Sequence, residues 1–271
     1  MGLPQEASQP THAKALIKKR TFENTLCIVK SLYLLNRNVH AHSLHLQKVF
    51  VKDEKLLAWV KDWESRRLKT TSLLTAWIQC TEPACNLDLL FKRFTELGPF
   101  VNAHSIPSTT LLEFCTTEIN TQCIYLLLAS QTKEPHLKKI CRQSAKVSEK
   151  NHEIFLPFLS AYLKKYPLSL FRRFAHTTCH LRSPFAHEMS CAYFTINTTP
   201  HAIYHPDFYS KACFARIWPY YSPQITRYMV RQLVRITGVQ KHQIWRKLLT
   251  KLIGWTTARH TKIFFVHNQT L

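Results

Sequence analysis

Glycine is almost missing from this chain: 4 residues in 271. Tight hairpins, phosphate-cradling loops and Rossmann crossovers draw on glycine for left-handed backbone and close approach. Neither GxGxxG nor GxxxxGK followed by Ser or Thr occurs, so chemistry on a nucleotide cofactor is not expected. Carboxylates are also scarce, 16 Asp and Glu against 37 Lys and Arg. A glycosidase or a two-metal nuclease needs clustered acids, so both are disfavoured. No Ser-His-Asp arrangement is legible. The longest apolar run, "CIYLLLAS" at Cys123 to Ser130, is far too short to span a bilayer. The N-terminus has no apolar signal-peptide stretch, and Glu6 stands where a myristoylation signal wants Ser or Thr. No membrane partner is expected.

What the chain does have is positive charge. The net charge is +21, a balance that draws polyanions. Basic residues are spread along the chain among aromatics, which points to nucleic acid. The 9 cysteines are odd in number and loosely spaced, unlike a secreted disulfide scaffold. They read as reduced thiols of an intracellular, not secreted, protein. Cys80 and Cys85 lack a clear second pair. "HTTCHLRSPFAHEMSC" carries His176, Cys179, His180, His187 and Cys191, all zinc-type ligands. Their spacing matches no common finger and their neighbours are apolar or aromatic, so no metal and no cofactor is expected.

Long apolar-periodic stretches rich in Leu, Lys and Arg predict a mainly α protein. Residues 1–11 read as a flexible tail. Leu16, Phe22, Leu26, Val29 and Tyr33 recur at helical spacing, with "KKR" at Lys18 to Arg20 on the same segment. A second helical region runs from Lys52 to Ile78, and a third from Leu87 to Leu97, closed by Gly98 and Pro99. Residues 12–104 form a small helical domain on this reading. "NAHSIPSTT" reads as a loop, and "TTLLEFCTTEINTQCIYLLLAS" as a buried helix opening a second domain, residues 105–271. "HEIFLP" reads as a short strand ending at Pro157. Helices follow at 158–165 and 167–178, then an irregular aromatic stretch to Tyr221.

The clearest local signal is "SPQITRYMVRQLVRITG", Ser222 to Gly238. Ser222 is an N-cap and Pro223 the first helical residue. Arg227, Arg231 and Arg235 recur every four residues and share one face. Gly238 closes the helix as a left-handed cap. A row of guanidiniums suits phosphate, since each fork can grip two oxygens. Arg246 and Lys247 follow on "HQIWRKLLTKLI", where Ile244, Trp245, Leu248 and Leu252 face inward. Gly254 stops that helix ahead of "WTTARHTKIFFVH".

This pattern resembles the C-terminal half of the tyrosine recombinase, or phage integrase, family. That family carries His-x-x-Arg at a helix start, a glycine closing the helix, a Gly-His or Gly-Trp pair, and then a nucleophilic Tyr. Gln224 falls at the His position, Arg227 at the Arg position and Gly238 at the closing glycine. Gly254 and Trp255 supply the pair, and Phe264 stands ten residues past that glycine, at the Tyr position. Upstream, "LLLASQTKEPHL" is similar to the segment bearing the first catalytic Arg, with Lys133 in its place. "AKVSEKNHEIFLP" is similar to the hairpin bearing a catalytic Lys, with Lys146 as the candidate and Lys150 close behind. The resemblance implies a SAM-like helical core-binding domain followed by a mixed α+β domain with a small sheet between residues 133 and 160. It implies DNA recombination or integration on duplex DNA, as a homo-oligomer on that DNA.

In that family the tyrosine oxygen attacks a DNA phosphate, arginines stabilise the phosphorane charge and Lys is the general acid. Phe264 has no hydroxyl, Lys133 has no fork and Gln224 shuttles no proton. The implied enzyme is therefore a degenerate, inactive strand transferase. Tyr220, Tyr221 and Tyr228 lie nearby but not at the required spacing. The other reading is a non-enzymatic basic helical RNA- or DNA-binding protein, organellar or viral. A sheet at 133–160, with Lys146, Arg227 and Trp255 converging on one cleft, separates the first from the second.

Overall fold

The computed structural model of the chain describes residues 9–98, 106–182, 184–217 and 221–238, with 247, 248 and 251. Every regular element among them is a helix: α1 (Gln9–Arg37), α2 (Val39–Val49), α3 (Glu54–Thr81), α4 (Leu87–Glu96), α5 (Pro107–Gln131), α6 (Pro135–Lys165), α7 (Leu170–Arg182), α8 (Pro184–Asn197), α9 (Pro206–Ile217) and α10 (Pro223–Thr237). The expected helices of the first hundred residues are present, with α2 added between them. Gly98 has φ +106°, a left-handed position that suits glycine.

The small sheet is not there. Residues 135–165, which were to hold it, form α6 without interruption. The period explains why. Leu137, Ile140, Cys141, Ser144, Ala145, Ser148, Asn151, His152, Phe155 and Leu159 are buried, and steps of three and four carry one helical face through the whole stretch. "HEIFLP" belongs to that face. Pro157 lacks the N–H that would bond the Glu153 carbonyl. The helix continues through it because Phe155 and Leu159 on either side are anchored in the core. The helix expected at 158–165 is the last part of α6. The expected irregular stretch to Tyr221 contains α8 and α9 instead.

α5 is the centre of the molecule, with 19 of its 25 residues buried. Two of its threonines return hydrogen bonds to the backbone of the same segment. Thr110 and Thr116 hydroxyls donate to the carbonyls of Ile106 and Leu112. α5 packs along α6 and also meets α7 and α10. Phe114 of α5 lies 4.5 Å, centroid to centroid, from Phe155 of α6. The boundary read near residue 104 falls outside the described residues. Helices from its two sides pack together, α1 on α8 and α3 on α6.

One buried polar network ties four helices. Arg67 of α3 donates to Glu118 Oε1 of α5 through Nε at 3.1 Å and Nη2 at 2.7 Å, and to Asn36 Oδ1 of α1 at 2.9 Å. Trp63 Nε1 donates to the same carboxylate oxygen at 2.9 Å. Asn151 of α6 donates to Glu118 Oε2 at 3.1 Å. Both oxygens of the buried carboxylate therefore have partners, as a charge held away from water requires.

Candidate nucleic-acid interface

α10 is built as its sequence says. The Ser222 hydroxyl accepts from the Ile225 N–H at 3.2 Å, and Pro223 opens the first turn. Gly238 closes the helix at φ +73°, and its N–H donates to the Arg235 carbonyl at 3.3 Å. A Cβ at Gly238 would also sit 3.2 Å from Arg173 Nη1, so backbone conformation and space both favour glycine. Ile225, Met229, Val230, Leu233, Val234 and Ile236 are buried, and the helix packs on α5 and α7. That leaves Gln224, Arg227, Arg231 and Arg235 exposed on the outer side. The arginines follow one another at about 6 Å of rise.

α10 touches α6 through Tyr228, whose hydroxyl donates to Glu149 Oε1 at 3.2 Å. Arg235 Nη1 lies 3.6 Å from Glu153 Oε1 of the same helix. α6 itself carries a second basic row, Lys138, Arg142, Lys146 and Lys150, again every four residues. Lys138 is half-buried, and the other three are exposed. None of the four has a carboxylate within ion-pair distance among the described residues. Reading "AKVSEKNHEIFLP" as a hairpin isolated Lys146 and hid this row. Its four-residue spacing was present in the sequence all along.

The two candidate lysines part company. Lys146 lies on α6 one turn before Glu149, so it and Arg227 stand on helices that touch. Lys133 lies in the turn between α5 and α6. The 15 residues of α6 from Pro135 to Glu149 hold it roughly 20 Å from the contact with α10. Lys133 and Arg227 therefore do not share a site. Arg246, Trp255 and Phe264 lie outside the described residues. Lys247 is exposed. Leu248, expected to face inward, is 46% exposed.

Two described tyrosines, Tyr221 and Tyr228, lie at α10. Burial pushes the Tyr228 phenol well above its ordinary value, with the Glu149 carboxylate adding to the shift. Burial does the same to Tyr221. A phenol held protonated attacks phosphorus poorly. Cys191, in the stretch with zinc-type ligands, is buried on α8, and burial raises its thiol to about 12. His187 Nε2 lies 3.9 Å from its sulfur one turn away. No group of three metal-ligating side chains occurs among the described residues. No helix among them is long and apolar enough to cross a membrane.

No family model, no curated protein and no solved structure matches the chain.

Proposed function

We propose that this chain is a non-enzymatic helical nucleic-acid-binding protein that holds a phosphate backbone against α6 and α10. The observation that carries the reading is the pair of basic rows, exposed but for half-buried Lys138, on two touching helices. Arg227, Arg231 and Arg235 stand on one, Lys138, Arg142, Lys146 and Lys150 on the other, with Glu153 at Arg235 their one ion-pair contact among the described residues. Guanidinium forks set orientation on phosphate and ammonium groups add point charge. The net charge of +21 supports capture of a polyanion from a distance. Contacts of this kind read the backbone rather than the base sequence.

Strand transfer loses its support with the sheet, since Lys133 and Arg227 lie apart and Phe264 has no hydroxyl. The test is titration of a labelled mixed-sequence DNA duplex at several salt concentrations. Several neutralised phosphates give a log–log slope of about −4 or steeper. An affinity indifferent to salt overturns the proposal. A covalent protein–DNA adduct on a nicked suicide substrate would replace it with the strand-transferase reading.

A further inference from the structure

On another part of the molecule a cleft of about 810 Å³ opens between α1, α3 and the start of α6. That volume is in the range of small-molecule sites. Its walls are Phe22 of α1, Ala76 and Trp77 of α3 and Leu137 of α6, with the exposed Cys80 thiol beside them. Phe22 is 51% exposed, a large ring left in water at the mouth.

The polar groups of the cleft are unequal. Glu134 is its one carboxylate, and that carboxylate is fully used. Oε1 accepts from the His136 N–H at 3.0 Å, and Oε2 from the Leu137 N–H at 2.8 Å and Trp77 Nε1 at 2.6 Å. It caps α6 and fixes the indole, so little of its charge is left for a ligand. Lys133, next to it on the rim, has no carboxylate within ion-pair distance among the described residues. Among the described residues the cleft thus presents an apolar trough, the uncommitted Lys133 ammonium and the His136 imidazole.

We propose that this cleft binds an amphipathic monoanion, a single-chain carboxylate whose apolar tail lies along Trp77, Phe22 and Leu137 and whose headgroup meets Lys133. Among the described residues, a ligand cation would find one carboxylate, Glu134, already bonded to three N–H groups. A neutral chain would leave the ammonium without use. The Lys133 ammonium is a compact point charge that a carboxylate headgroup can meet.

Cys80 gives the readout. Laurate, below its micelle concentration, and dodecanol, of the same chain length, are each added to the full chain. Alkylation of Cys80 is then followed by peptide mapping, with half-buried Cys85 as the internal control. Laurate slows Cys80 alkylation with saturation and leaves Cys85 unchanged. Lys133→Glu weakens laurate by about 10-fold, the scale of one charge-assisted contact, and leaves dodecanol as it was. Ala76→Trp, at an exposed helical position, fills the trough and removes the protection without unfolding the chain. Thermal unfolding of both variants checks that the fold is intact. Absence of saturable protection by laurate overturns the proposal. So does equal protection by laurate and dodecanol, or a Lys133→Glu variant that binds laurate as tightly as the parent.

Discussion

Arg67 and Arg231 carry the same guanidinium in opposite settings. Arg67 is 7% exposed and spends its N–H groups on Glu118 and Asn36, tying α3 to α5 and α1. Arg231 stands in solvent on α10 with no carboxylate at ion-pair distance among the described residues. A charge taken out of water must be matched on the spot, as Arg67 is by Glu118. Among the described residues, Arg227, Arg231, Arg235, Arg142, Lys146 and Lys150 stand exposed on outer helix faces. The position of a charge thus decides whether it holds the fold or meets a partner.

The largest effect is expected where the charge is buried. Glu118→Gln leaves Arg67 without its counter-charge, a loss of about 3–5 kcal/mol of stability. Chemical denaturation measures it. Pairing Glu118→Leu with Arg67→Met removes both charges and should recover much of the loss. A cost under about 1 kcal/mol for Glu118→Gln would mean that the network is not what joins these helices.

Arg231→Ala should do the reverse. Stability stays within about 0.5 kcal/mol, as for an exposed surface change. Affinity for a DNA duplex falls by about 1–3 kcal/mol if the fork grips phosphate, and the salt slope drops by about one. Unfolding and binding titrations on the same variant separate the two. Lost stability with unchanged binding would exchange the roles assigned to the two arginines.

This division was half legible in the sequence. α10 could be read residue by residue, because Ser222, Pro223 and Gly238 are local signals and each acts on the backbone beside it. The same proline rule applies at α5, α6, α8 and α9, which begin at Pro107, Pro135, Pro184 and Pro206. Reading it there would have replaced the irregular stretch by two helices. Likeness to a hairpin displaced the helical period of residues 137–159, and with it went the row from Lys138 to Lys150. The Glu118 network was beyond reach. Asn36, Trp63, Arg67, Glu118 and Asn151 lie far apart in the chain, and nothing local marks them as partners. The cleft at Trp77 is hidden for the same reason, since residues from α1, α3, α6 and the end of α5 form it.

A third setting lies between the two extremes. His42 Nε2 of α2 is 2.7 Å from Glu188 Oε1 of α8. Burial alone lowers the proton affinity of this imidazole, but the Glu188 carboxylate outweighs it, and the net shift is upward from 6.5. A histidine whose folded value is raised stabilises most fully below its unfolded value. The contribution is therefore present below about pH 6.5 and fades as pH climbs through the raised value. His42→Gln should cost about 1 kcal/mol at pH 5.5 and progressively less at higher pH, followed by melting temperature. A penalty that grows with pH would mean that the pair is held by something other than the protonated ring.

The smallest effect is also the one that links stability to binding. Arg235 belongs to the α10 row, yet among the described residues it alone of the three faces a carboxylate, Glu153, at 3.6 Å. The pair is about half exposed on both sides, and contacts of this kind contribute little to stability, about 0–1 kcal/mol. Glu153→Gln should therefore barely change the melting temperature. It should still change binding, because a carboxylate beside the row repels phosphate and competes for the Arg235 fork. Removing its charge frees that guanidinium, so duplex affinity should rise by about 2- to 5-fold at low salt, and the gain should shrink as salt screens it. The same substitution in an Arg235→Ala background should give a smaller gain, since only the repulsion is then relieved. An affinity that falls on Glu153→Gln would place the phosphate elsewhere and leave the α10 row as a solvated face.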